Sequence, residues 1–74
     1  MGKNQHAAPH HGGGWQVKAE GDKRPSEITD TKKEAVDIAR EISKDEKSEL
    51  FIHGKDGKIQ SRDSHGHDPF PPRG

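Results

Sequence analysis

Strand, tight turn and strand follow one another in Ser48-Glu-Leu-Phe-Ile-His-Gly-Lys-Asp-Gly-Lys-Ile-Gln-Ser-Arg-Asp-Ser64. The pair Asp56-Gly57 is a strong hairpin signal, because a two-residue type I′ loop needs a positive φ at both central positions. Such a loop puts Ile59 on the same face as Leu50 and Ile52. The pattern therefore predicts a hairpin with one apolar face that a helix can cover.

The other face of this hairpin is predicted to remain open and to form the binding surface. Phe51 is the anomaly there, because one helix covers only one face of so small a sheet. The register also places Ile52 opposite Ser61 and His53 opposite Gln60. Together with two residues of an upstream strand, the predicted surface comprises Phe51, His53, Gln60, Arg62, Lys18 and Gln16.

Three elements are predicted upstream of the hairpin. Trp15–Ala19 alternates apolar and polar residues, as a half-buried strand does, and a short strand from Pro25 to Ile28 suits a sheet edge. Thr31 and Glu34 form a capping box, in which the hydroxyl accepts from the amide of residue 34 and the carboxylate reaches the amide of residue 31. Apolar residues at helical spacing then predict a helix from about residue 32 to residue 44.

Composition allows one small domain with a thin core. The chain has 74 residues, of which 23% are hydrophobic and 35% are charged, and its net charge is zero. This balance gives no general attraction to nucleic acid or to an anionic membrane. The predicted core residues are Trp15, Val17, Ala19, Ile28, Ala35, Val36, Ile38, Ala39, Ile42, Leu50, Ile52 and Ile59.

These elements predict an α+β fold in which one antiparallel sheet is backed by one helix, in the order strand-strand-helix-strand-strand. Residues 14–64 are assigned to the domain, residues 1–13 to a flexible tail that ends in Gly12-Gly13, and residues 65–74 to a Pro/Gly-rich tail. There is no cysteine and no apolar stretch long enough to span a membrane. We therefore expect a cytoplasmic protein without disulfides or thiolate metal sites.

The chain resembles an uncharacterised bacterial family, catalogued as domain of unknown function 2188, over roughly fifty to sixty residues. The matching segments are Gly14-Trp15-x-Val17-Lys18, Thr31-x-Lys33-Glu34-Ala35, Ala39-Arg40-Glu41-Ile42, Ser48-Glu49-Leu50, Ile52-His53-Gly54-x-Asp56-Gly57-x-Ile59, Asp63-Ser64 and Asp68-Pro69-Phe70-Pro71-Pro72. The resemblance implies a strand-strand-helix-strand-strand unit, and it supplies no enzymatic activity because none is established for the family.

Catalytic and metal sites have weak sequence support. A dyad of His53 with Asp56 or Asp63 can be drawn, but a small open sheet offers no water-excluding pocket, so we predict no enzyme, no cofactor and no specific metal site. Six histidines still leave weak metal binding as an alternative, and it would require His65 and His67. In the proline-rich tail, Phe70 is predicted to fold back over the face around Phe51.

The sequence therefore predicts a small binding module that uses the face around Phe51, as a homo-oligomer or with another protein partner. The alternative is single-stranded nucleic-acid binding through the same face. In that case Phe51 stacks on a base, and Lys18, Lys55, Lys58 and Arg62 contact phosphates.

Overall fold

In the computed structural model, residues 2–64 are described, and they form five strands and one helix. The elements are β1 (Gln5–Pro9), β2 (Trp15–Ala19), β3 (Glu27–Thr29), α1 (Lys32–Glu46), β4 (Glu49–His53) and β5 (Ile59–Ser64). The α+β class and the single helix of this region are as predicted. The observed order, strand-strand-strand-helix-strand-strand, contains one strand more than predicted.

The extra strand β1 lies at the centre of the sheet, whose order is β3-β2-β1-β4-β5. It pairs antiparallel with β2 and parallel with β4, where Gln5 lies beside Leu50. The prediction of a flexible tail over residues 1–13 is therefore wrong for Gln5–Pro9, and the sheet is mixed rather than purely antiparallel. As predicted, the short strand before the helix lies at a sheet edge.

Burial explains why so polar a segment becomes the central strand. Ala7 has no exposed surface and Gln5 is 4% exposed, because both side chains lie on the sheet face that α1 covers. Neighbours on both sides also satisfy the backbone N–H and C=O groups of β1, which a central position requires. Tertiary contacts, rather than strand propensity, thus select this conformation.

The helix begins and ends at recognisable caps. The Thr31 hydroxyl accepts a hydrogen bond from the Glu34 amide at 3.3 Å, as the capping box predicts. The Glu34 carboxylate accepts from the amide of Asp30 rather than from that of Thr31. At the other end Lys47 adopts φ 53°, and its amide and that of Ser48 donate to carbonyls of the last turn.

Small side chains bring the helix close to the sheet. Ala35 and Ala39 of α1 have no exposed surface, and they form one cluster with Ala7, Val17 and Leu50. Larger, partly buried residues pack around this cluster, namely Trp15, Val36, Ile38, Ile42 and Ile52. Of the predicted core residues, Ile28 and Ile59 are wrong, since they are 54% and 55% exposed.

The hairpin turn explains why Ile59 leaves the core. The Gly57 amide donates to the Gly54 carbonyl, and Gly57 alone in this turn has a positive φ, of 84°. This is the pattern of a three-residue loop, which shifts the strands by one residue relative to the predicted type I′ turn. His53 therefore pairs with Ile59, and a bulge follows that restores the predicted pairing of Ile52 with Ser61.

Candidate functional site

The face of the sheet opposite α1 has no covering element within residues 2–64 and carries the candidate site. One row of side chains crosses this open face over four strands, since His6 pairs with Lys18 and Phe51, and Phe51 pairs with Arg62. We call Lys18, His6, Phe51 and Arg62 the cationic row. Phe51 and Arg62 lie on this face as predicted.

A second row lies two residues further along the same strands. The Glu20 amide donates to the Asn4 carbonyl at 2.8 Å, and the Glu49 amide donates to the Asn4 side chain at 2.9 Å. Glu49 pairs in turn with Ser64. We call Glu20, Asn4, Glu49 and Ser64 the acidic row. The open face therefore has a positive and a negative line of residues side by side.

Aromatic rings occupy the middle of the cationic row. The rings of His6 and Phe51 are stacked, with centroids 5.0 Å apart and an interplanar angle of 21°. The ring of His53 lies 5.2 Å from that of His6. Stacking fixes the orientation of His6 and leaves one face of Phe51 already occupied.

A chain of hydrogen bonds links three strands and the hairpin turn through these rings. His53 Nδ1 lies 2.8 Å from the carbonyl oxygen of Gly57, and His53 Nε2 lies 3.0 Å from His6 Nδ1. On its other side, His6 Nε2 lies 3.3 Å from Glu20 Oε1. Every ring nitrogen of the two histidines therefore has a neighbour.

Beside this chain the open face has a hollow of about 400 Å³. The hollow is lined by His6, His53, Gln16 and Lys18. Gln16 and Lys18 therefore lie together with His53, as predicted. Solvent reaches the two histidine rings from this side, and the His6 side chain is 25% exposed.

Gln60 is the predicted surface residue that the structure places elsewhere. It lies at the bulge of β5, and its side-chain oxygen accepts a hydrogen bond from Lys32 of the helix at 2.7 Å. The Lys32 ammonium also lies 5.3 Å from the ring centroid of Trp15. Gln60 therefore belongs to the helix side of the sheet, and Ile59 takes the place predicted for it beside His53.

The His53 dyads considered from sequence do not form. Asp63 lies on the helix side, where it accepts from Arg40, and the Asp56 side chain accepts from the Lys58 amide. Within residues 2–64, no group of three or more histidines and carboxylates has the arrangement of a metal site. His65, His67 and Phe70, to which metal binding and docking were assigned, lie outside the described residues.

Sequence reasoning missed His6 and Glu20 because the first thirteen residues were assigned to a tail. The segment Gln5-His6-Ala7-Ala8-Pro9 has no alternation of polar and apolar residues, so its local sequence does not predict a strand. Within the part of the chain that the structure describes, no helix is long and apolar enough to cross a membrane.

Comparison with known proteins gives a family and one named relative. A bacterial family described as "Uncharacterized protein conserved in bacteria (DUF2188)" matches residues 5–65, which include β1. The chain is 48% identical over 62 residues to "Uncharacterized protein YdaT" of Bacillus subtilis (strain 168). The match covers 84% of this chain and 41% of that relative, so the chain spans less than half of the relative's length. No solved structure matches.

Proposed function

The chain belongs to the bacterial family DUF2188, and we propose that it is a non-enzymatic interaction module whose open face binds a second copy of the same chain. The observation that carries the proposal is the pair of rows on that face. The cationic row and the acidic row run side by side, so the surface is complementary to itself.

The strand register specifies how two copies would meet. Ala19, Gln5 and Leu50 form the line of residues that separates the two rows. A two-fold axis along this line, between two stacked sheets, sets the cationic row of each copy against the acidic row of the other. Lys18 then faces the Glu20 position of the second copy, and Arg62 faces the Ser64 position.

The same arrangement gives Phe51 a partner. The two copies of Phe51 are offset by two residue positions along antiparallel strands, which is about 7 Å. That spacing lies at the upper end of favourable ring contacts, about 4.5–7 Å between centroids. Ile59, which is 55% exposed, adds apolar surface beside His53.

The size of the face predicts weak association. Five strands about 4.8 Å apart and about 17 Å long give a flat area of roughly 400 Å². A standard stable interface buries about 800 Å² per partner. We therefore expect a monomer–dimer equilibrium that requires protein concentrations up to about 1 mM to be seen.

Charge reversal tests the proposal by sedimentation equilibrium. Lys18→Glu and Glu20→Lys should each weaken self-association, because each puts like charges face to face in the homodimer. An equimolar mixture of the two variants should associate again, because both cross-pairs of the heterodimer are then of opposite sign. Phe51→Ala should weaken association with the helical circular dichroism unchanged, and Lys33→Glu on the exposed helix face is the matched control.

Two results would refute the proposal. One is a wild-type chain that stays monomeric at about 1 mM. The other is a mixture of the two charge variants that associates no better than each variant alone. A mass increase only on addition of a single-stranded oligonucleotide, lost at high salt, would assign the face to nucleic acid instead. That alternative is disfavoured by the acidic row and by the stacking of His6 on Phe51.

A further inference from the structure

From the hydrogen-bond chain on the open face we infer that His6 and His53 form a two-nitrogen binding site for a divalent transition-metal ion such as Zn²⁺ or Ni²⁺. The argument begins with the outer ring nitrogens. The neighbour of His53 Nδ1 is a backbone carbonyl, which only accepts, so this nitrogen carries the proton and donates. The neighbour of His6 Nε2 is the Glu20 carboxylate at 3.3 Å, which accepts from this nitrogen in the tautomer of His6 that is protonated on Nε2.

These two donations decide the state of the inner nitrogens. In a neutral imidazole one nitrogen carries a proton and the other carries a lone pair. His6 Nδ1 and His53 Nε2 therefore both present lone pairs, and they lie 3.0 Å apart. Two lone pairs at that distance repel each other, and a cation between them removes the repulsion. The cation is either a shared proton or a metal ion.

The surroundings match those of a metal ligand pair. Histidine ligands commonly donate their outer N–H to a carboxylate or a backbone carbonyl, which fixes the tautomer and the ring orientation. Here His6 has the carboxylate and His53 has the carbonyl. Imidazole nitrogen is also a preferred ligand of zinc, nickel and copper.

The separation of the nitrogens fits two adjacent coordination positions. With metal–nitrogen bonds of about 2.0–2.1 Å, ligands at a right angle are about 2.9 Å apart and tetrahedral ligands are about 3.3 Å apart. The observed 3.0 Å lies between these values. The remaining positions open onto the hollow of about 400 Å³, from which water or another ligand can complete the coordination.

The test is titration of the full chain with ZnCl₂ and NiCl₂ by isothermal calorimetry at pH 7.5, at concentrations where the chain is monomeric. We expect one ion per chain, with His6→Gln and His53→Gln each reducing affinity at least about tenfold. Glu20→Gln removes the carboxylate behind His6 and should reduce affinity by roughly 10–100-fold.

Two double variants serve as matched controls for the other histidines. His10→Gln/His11→Gln and His65→Gln/His67→Gln should bind as the wild type does. Absence of metal binding to the wild-type chain would overturn the inference and would assign a proton, not a metal ion, to the position between His6 Nδ1 and His53 Nε2. Wild-type affinity in His6→Gln or in His53→Gln, or loss of binding in either double control, would also overturn it.

Nitrogen-15 spectra of the wild-type imidazoles make the result independent of how the variants fold. Zinc should shift His6 Nδ1 and His53 Nε2 as metal-bound nitrogens and leave the outer nitrogens protonated. Resonance changes confined to other histidines would contradict the assignment.

Discussion

Replacing Leu50 and Ile59 by alanine, one at a time, distinguishes the observed hairpin from the one that its hydrophobic pattern predicts. The pattern places both residues in the core. In the structure Leu50 has no exposed surface, whereas Ile59 is 55% exposed beside His53. We therefore expect Leu50→Ala to be strongly destabilising and Ile59→Ala to have a small effect.

The expected magnitudes follow from burial. Truncation of a fully buried leucine costs about 2–5 kcal/mol, because the transfer free energy is lost and a cavity remains. Truncation of isoleucine removes about three methylene equivalents at about 0.8 kcal/mol each when buried. Since more than half of Ile59 is already in water, its loss should cost about 1 kcal/mol. At roughly 0.05–0.15 kcal/mol per residue, the whole domain is stable by about 3–9 kcal/mol.

Urea unfolding followed by fluorescence of Trp15, the single tryptophan, measures both variants. With a slope of about 1 kcal/mol per molar urea, Leu50→Ala should lower the midpoint by about 2 M or more, and Ile59→Ala by about 1 M. Equal losses of stability in the two variants would refute the bulged register and would place Ile59 under the helix. Unchanged stability in Leu50→Ala would refute the assignment of the core.

Two further predictions concern the helix. Lys47→Gly should raise the melting temperature by a few degrees, because a left-handed conformation costs a non-glycine residue about 1 kcal/mol. The control Lys44→Gly lies inside the helix and should lower the melting temperature. A lower melting temperature in both variants would contradict the assignment of Lys47 as the helix cap. The hydrogen bond from Lys33 lowers the pKa of Asp37 below its ordinary 3.8. The contribution of this interaction to the stability of the fold is therefore complete above pH 3.8 and is lost as the pH falls through the pKa of Asp37 in the folded state. The difference in melting temperature between wild type and Asp37→Asn should therefore shrink below that pH, and a constant difference would contradict it.

Most of the helix and of the open face could be predicted from the sequence. The capping box and the spacing of Ala35 and Ala39 are local signals, so the helix was predicted to within two residues of its observed end. Alternation along β4 sends Phe51 and His53 to the face that lacks a helix, as predicted from the period of two.

The central strand could not be predicted, because its cause is not local. Glutamine, histidine and alanine have little preference for strands, and Pro9 argues against one. Ala7 is buried only because β2 and β4 on either side and α1 above it enclose the segment. Once β1 was missed, His6 was missed with it, and so was every contact of the open face that depends on it.

The register after the turn failed for a different reason. Asp56-Gly57 is compatible with loops of two and of three residues, and the longer loop shifts the pairing by one position until the bulge restores the predicted register at Ser61. The hydrophobic pattern favoured the shorter loop by placing Ile59 in the core. The bond from Lys32 to Gln60 stabilises the bulge instead, and its helix partner lies 28 positions away along the chain.

The central position of β1 also has a consequence for the folding pathway. The meander β1–β2–β3 and the hairpin β4–β5 each close through short connections and can form early. The sheet joins these two units only through β1. Its parallel contact with β4 joins residues 45 positions apart, and such distant pairing is slow. We therefore expect docking of β4 against β1 to be the slow step of folding, although β1 is the first of the five strands to be synthesised.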